Sequence, residues 1–113
     1  MKTIIAGPRD QSLSEEHYEL LHRCEITEVV SGGARGVDAS GEMWALSNAI
    51  PMNLFPADWS KHGKNAGPIR NRKMTEYAEQ LVAFRGKEGM TRGTGDMVKV
   101  ATKLGLKVIV FDI

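Results

Sequence analysis

Short apolar runs alternate along this chain with longer stretches in which apolar residues recur at three- and four-residue spacing. Thr3-Ile4-Ile5-Ala6 reads as a first strand, ended by Gly7-Pro8. A helix is expected from Ser12 or Ser14, either able to cap it, to about Arg23, and Glu15 and Glu16 suit its first turn. Glu28-Val29-Val30-Ser31 reads as a second strand, and about Val37 to Asn48 as a second helix. Met52-Asn53-Leu54-Phe55, between Pro51 and Pro56, reads as a third strand, and residues 57–68 as a polar loop. Pro68 suits the first turn of the next helix. There Met74, Tyr77, Ala78 and Leu81 fall at i, i+3, i+4 and i+7, the last at the helix exit. Leu81-Val82-Ala83-Phe84 reads as a fourth strand, followed by a glycine-containing loop over 85–93. Met97, Val100, Ala101 and Leu104 repeat the helical spacing up to a stop at Gly105, and Val108-Ile109-Val110-Phe111 reads as the final strand.

The order is β-α-β-α-β-α-β-α-β. Strands that are apolar throughout predict a parallel sheet covered on both faces. Right-handed crossovers then give an α/β fold, a single Rossmann-like, doubly wound sheet of about five strands with helices on both faces. Ligands in such folds bind beyond the carboxyl ends of the strands. The loops expected there, 7–10, 32–38, 57–67 and 85–96, all combine glycine with charged or hydrogen-bonding residues. The connections at the opposite end, near 25–27, 49–51, 79–80 and 105–107, are plainer. The asymmetry points to a binding site at one end of the sheet.

A chain of 113 residues, 42% of them hydrophobic, suits a single domain over residues 1–113 with a real core. Fifteen Lys+Arg against fourteen Asp+Glu leave a net charge of +1, which gives no global attraction to nucleic acid or to a membrane. No run nears the roughly 20 apolar residues that span a bilayer, and the N-terminal apolar stretch is too short for a signal peptide. Cys24 is the sole cysteine, so no internal disulfide forms and a cytoplasmic location is expected. His17, His22 and His62 lack the spacing of metal ligands, so neither a metal site nor a cofactor is expected.

The chemistry concentrates in SGGARGVD, residues 31–38. Glycines at 32, 33 and 36 between a strand and a helix lose conformational entropy that a plain turn does not require. Backbone N–H groups at a helix start, with the fork-shaped cation of Arg35, make a phosphate cradle. Ser31 stands beside it as a further phosphate contact, and Asp38 suits a ribose hydroxyl or Arg35 itself. The spacing is not the dinucleotide fingerprint GxGxxG. In the first loop Gly7 permits close approach, Arg9 suits phosphate, and Asp10 suits a hydroxyl. Residues 58–73 hold five Lys/Arg against one Asp, and there Trp59 is a base platform or a packing lid, while Arg70 and Asn71 are the favoured ligand contacts. In the last loop Gly86, Gly93 and Gly95 permit close approach, and Thr94 is a candidate cap for the final helix or a phosphate donor.

Taken together, Ala6 to Asp10, SGGARGVD, the loop from Ala57 to Gly67, Arg70-Asn71-Arg72-Lys73-Met74 and Thr91-Arg92-Gly93-Thr94 resemble the SLOG superfamily, and within it the small YspA-like, YpsA-related proteins. SGGARGVD and Arg70-Asn71-Arg72 are also similar to the Rossmann core of DprA, and the glycine-threonine loop to the LOG phosphoribohydrolases. The resemblance implies a Rossmann-like fold that binds nucleotides or nucleotide-derived ligands of the ADP-ribose or nucleoside phosphate kind, in a protein of bacteria or phages. Related folds often dimerise through helices, so a homodimer is expected. Three functions compete. The first is a binding or sensing module. The second is a nucleotide N-glycosidase, whose oxocarbenium-like transition state needs a carboxylate, with Asp38 and Asp96 the catalytic candidates. Against it, the LOG motif PGGxGTxxE would place its catalytic Glu at Met97. The third is DprA-like single-stranded DNA binding, against which the near-neutral charge weighs.

Overall fold

Ile4 and Ile5 are both fully buried, on opposite faces of the first strand, β1 (Lys2–Ala6). That requires cover on both sides of the sheet, and the computed structural model, which describes residues 1–113, supplies it. The strands are β1, β2 (Glu28–Ser31), β3 (Met52–Leu54), β4 (Gln80–Arg85) and β5 (Lys107–Asp112). They pair in the order β3-β2-β1-β4-β5, every pair parallel. The helices are α1 (Glu15–His22), α2 (Val37–Ser47), α3 (Trp59–His62), α4 (Ala66–Tyr77) and α5 (Arg92–Lys103). The expected doubly wound α/β sheet is what the chain forms.

Alternation along each strand divides the core in two. Ile5, Val29, Val82 and Phe84 pack with Leu21 of α1 and with Val37, Trp44 and Ala45 of α2. Ile4, Val30, Leu81 and Ala83 pack on the other face with Met74 of α4 and with Met97 and Ala101 of α5. The register explains the sorting, since Ile4 sits level with Val30 and Leu81, and Ile5 level with Val82. Each large aliphatic side chain buried this way contributes about 1.5–3 kcal/mol. Gly41 lets α2 lie close over β1, because a Cβ there would stand 3.0 Å from Cγ2 of Ile5.

Several local expectations are corrected. Ser14, not Ser12, caps α1, and its N–H donates to Nδ1 of His17 at 2.9 Å. The loop over 57–68 contains the short helix α3 and a 3-10 turn over Gly63–Asn65. Asp58 caps α3, accepting from the Lys61 N–H at 3.1 Å and the Ser60 hydroxyl at 2.9 Å, and these two bonds lower its carboxyl below the usual range. The final helix begins at Arg92, inside the stretch expected to be loop, and its cap is Thr91 rather than Thr94. Its buried face is Thr94, Met97 and Ala101, whereas Leu104, which shares their helical spacing, lies past the helix end and is 42% exposed. β3 is three residues long and lies at the sheet edge with Met52 and Leu54 exposed, so it is not covered as the inner strands are. No helix is long and apolar enough to cross a membrane.

Candidate functional site

The chain runs from β1 outward to β3 and then returns to the other side of β1 to place β4. The loops after β1 and β4 therefore diverge and open a crevice at their carboxyl ends. A cavity of about 360 Å³ occupies this crevice. Gly7, Arg9 and Asp10 line it from the loop after β1, Gly32, Ala34 and Asp38 from the glycine loop, and Arg70 and Asn71 from α4. Thr91, Gly93 and Thr94 line it from the start of α5, and Met74 and Met97 belong to its apolar wall. A second cavity, about 610 Å³, lies alongside and is lined by Arg35, Leu54, Pro56, Ala57 and Trp59. Arg9, Gly32, Ala34 and Arg70 line both.

Glycines at the crevice are held by the protein's own packing, and Gly7, expected to allow close approach of a ligand, is one, since a Cβ there would stand 2.8 Å from Cγ2 of Val37. Gly36 has φ +71°, and a Cβ there would run into the Pro8 carbonyl and the Arg9 backbone. The amide of the next residue, Val37, donates to the Pro8 carbonyl at 3.1 Å, so the loops after β1 and β2 are locked together. Gly32 faces the Arg70 guanidinium, whose Nη1 would lie 2.6 Å from an added Cβ. Arg70 Nη1 donates to the Gly32 carbonyl at 2.6 Å and its Nε to Oδ1 of Asn71 at 2.8 Å. Burial pulls the Arg70 guanidinium below its usual pKa, Arg9 adds to this, and Asp38 opposes it. At Gly93, by contrast, an added Cβ would meet nothing within 4 Å.

The expected cradle of loop amides is only partly open. The Gly33 amide donates to Oγ of Ser31 at 3.2 Å, and the Ala34 amide to Oδ2 of Asp38 at 3.4 Å. Those of Arg35 and Gly36 have no acceptor within the chain, nor do those of Arg92 and Gly93 at the start of α5. The free cations are clearer. Arg9 and Arg35 are exposed and make no ion pair or side-chain hydrogen bond, the two ion pairs of the chain being Arg72–Glu76 and Arg85–Asp112.

Asp38 is a crevice carboxylate that its environment shifts upward. Burial raises its carboxyl to about 6. The Ala34 amide, Arg70 and Arg9 pull it down, and Glu42 pushes it up, but desolvation is the largest influence. A carboxyl poised near neutrality in a crevice can accept from a hydroxyl or exchange a proton.

Other residues singled out from sequence are placed elsewhere. Ser31 is buried and donates to Oε2 of Glu42 at 2.6 Å, so its hydroxyl serves the loop. Gly36 is structural, as above. Gly86 packs against Gln11 and Pro8, and Gly95 against Met90, and neither lines a cavity. Asp96 is exposed on α5 away from the cavity wall. Trp59 stands 56% exposed in the second cavity beside Gly67. Thr91 escaped sequence reasoning as a site residue. Its signal was a hydroxyl three residues before another, and its Oγ1 accepts from the Thr94 amide at 3.3 Å while donating to Oγ1 of Thr94 at 2.9 Å. Met74 and Met97, placed by sequence only at helical spacing, are buried in the core and also form cavity wall.

Comparison with known proteins agrees with this architecture. DNA processing protein A (DprA) from Streptococcus pneumoniae superposes with a TM-score of 0.68 at 16% identity, over 97% of this chain. The chain spans 50% of that protein's length, and the likeness is one of fold. The Gene 61 protein of Mycobacterium phage D29 is 40% identical over 90 residues, which covers 74% of this chain and 70% of the phage protein. A family model matches residues 3–62, the segment that carries β1, the locked pair of loops, α2 and the Trp59 side of the second cavity. By that match and the phage relative, this chain belongs to the YspA, cpYpsA-related SLOG family.

Proposed function

We propose that the chain binds a nucleotide or nucleotide-derived ligand at the crevice beyond β1 and β4, as a binding or sensing module. One observation carries this reading: two cavities of ligand size share a wall that holds two arginines, one of them wholly unpaired. Arg9 and Arg70 suit a phosphate, for which a planar fork of donors is well matched. Asp38, Asn71 and Thr94 suit hydroxyls. Family membership supports a nucleotide-related role. The test is thermal unfolding with nucleoside mono-, di- and triphosphates. A ligand at a hundred times its Kd adds about 2.7 kcal/mol, a rise of several degrees in a domain of this size. Arg9→Ala is expected to leave the unliganded Tm unchanged and to abolish that rise. An unaltered rise would remove Arg9 from the site.

A second reading, N-glycosidic hydrolysis, is favoured by the raised Asp38 carboxyl alone. Asp96 is too far out on α5 to share the work, and Met97 puts a thioether in the cavity wall. Chromatography of each stabilising nucleotide after incubation separates the readings. Recovery of the intact compound supports binding, and release of free base that is lost in Asp38→Asn supports Asp38 as the catalytic carboxyl.

A further inference from the structure

A third cavity, of about 280 Å³, shares Leu54, Pro56 and Arg70 with the second but holds neither Arg9 nor Asp38 nor the glycine loop. It opens between the end of β3, α3 and the face of α4 that carries Ala66, Ile69 and Lys73. Local sequence makes this hollow. Pro56 has no N–H to give a ladder, so the chain leaves the sheet there. The Asp58 cap starts α3, and Gly63, at φ +56°, turns the chain on towards α4.

The lining is of two kinds. Leu54, Phe55, Ala66 and Ile69 are apolar, Ala66 fully buried and Leu54 exposed. Lys61 and Lys73 are exposed and make no ion pair or side-chain hydrogen bond. Asp58, beside them, is engaged by the Ser60 hydroxyl and the Lys61 amide, and Arg70 by Asn71 and the Gly32 carbonyl. Two ammonium groups against one carboxylate leave a single positive charge uncancelled next to apolar surface. A phosphate matches this poorly. Asp58 repels the second charge of a dianion, its cap has taken the Lys61 amide, and lysines offer point charges rather than forks. A carboxylate carries one charge, and an apolar body attached to it covers Leu54 and Ile69.

We propose that this cavity is a separate site for a small monocarboxylic acid with an apolar body, the body against Leu54, Phe55 and Ile69 and the carboxylate between Lys61 and Lys73. His62 lines the same space and adds a ring N–H as donor. The volume lies at the small end of ligand cavities, which begin at about 300 Å³, so the body is a ring or a short chain. The site does not depend on what the crevice binds.

The experiment is an NMR titration of the backbone amides with cinnamate, with cinnamamide as its uncharged match, acetate as an acid without a body, and inorganic phosphate. Cinnamate is expected to bind with a Kd of about 1 mM or tighter, shifting amides over residues 54–73 and leaving those of residues 7–10 in place. Cinnamamide and acetate are each expected to bind at least about fivefold more weakly. Lys61→Gln combined with Lys73→Gln is expected to weaken cinnamate by a similar factor and to leave cinnamamide unchanged. Both lysines are exposed, so the double variant keeps the fold. Arg9→Ala, outside this cavity, is expected to bind cinnamate as wild type does. No shift at millimolar cinnamate, an amide that binds as well as the acid, or a double variant that binds as well as wild type would each overturn the proposal. So would phosphate that binds here more tightly than cinnamate, or shifts centred on residues 7–10 that vanish in Arg9→Ala, which would put the acid in the crevice.

Discussion

Asp38 shows how a single residue can be legible in kind and hidden in state. Its position in the first turn of α2 marked it as a ligand contact, but nothing in the sequence told that burial would outweigh Arg70 and Arg9 and raise its carboxyl to about 6. That balance depends on three loops converging. Between pH 3.8 and about 6 the folded state holds this proton more firmly than the unfolded chain does. Asp38 therefore makes stability fall as pH rises through that window, and the deficit persists above it. Asp38→Asn is expected to be more stable than wild type by about 1–3 kcal/mol at pH 7.5, the advantage disappearing near pH 4. Urea unfolding at the two pH values checks this, and equal stabilities at pH 7.5 would show the carboxylate to be well solvated. Glycines divide in the same way. Gly36→Ala is expected to cost at least about 2–4 kcal/mol through its positive φ and the Pro8 carbonyl. Gly93→Ala adds a good helix former in open space and is expected to change stability by no more than about 1 kcal/mol, towards greater stability. One set of melting curves compares the two.

At the scale of elements, the strands were readable because β1, β2 and β4 are buried on both faces, and burial on both faces leaves an apolar run without gaps. β3 was legible only as a run between two prolines, and its edge position and exposure follow from pairing order, which no local pattern encodes. The start of α5 was missed for a chemical reason. Gly93 and Gly95 in its first turns read as loop, yet the Thr91 cap holds the backbone helical through the Thr94 amide. Thr91→Ala is expected to cost about 1 kcal/mol and to loosen the helix end that carries Gly93 and Thr94. Amide exchange at residues 92–95 measures it, and unchanged protection there would show that the hydroxyl is dispensable. The cavities themselves were the least legible part. The sequence marks loops, but Arg70 lies on a helix 38 residues from the Gly32 carbonyl it binds.

For the whole molecule, charge sets the bounds. A net charge of +1 gives no overall attraction to nucleic acid, the basic stretch over 58–73 is offset by acidic residues elsewhere, and the unpaired Arg9 and Arg35 line the crevice. Oligonucleotide binding is expected to stay in the weak, non-specific range, with Kd of about 10⁻⁴ M or poorer at physiological salt. A micromolar Kd with a steep salt slope, measured by fluorescence anisotropy, would instead show a nucleic-acid surface. The contact between Gly32 and Arg70 reaches beyond the single molecule. Because the guanidinium fills the space a Cβ would need, an alanine at position 32 forces the end of the Arg70 side chain off the Gly32 carbonyl. Gly32→Ala alone is expected to cost little stability, since the flexible Arg70 side chain can swing aside, but to take the guanidinium out of its place in the crevice. In a population of related sequences the two sites should mutate as a couple, so that an alanine at position 32 appears on lineages that have already given up the arginine at position 70.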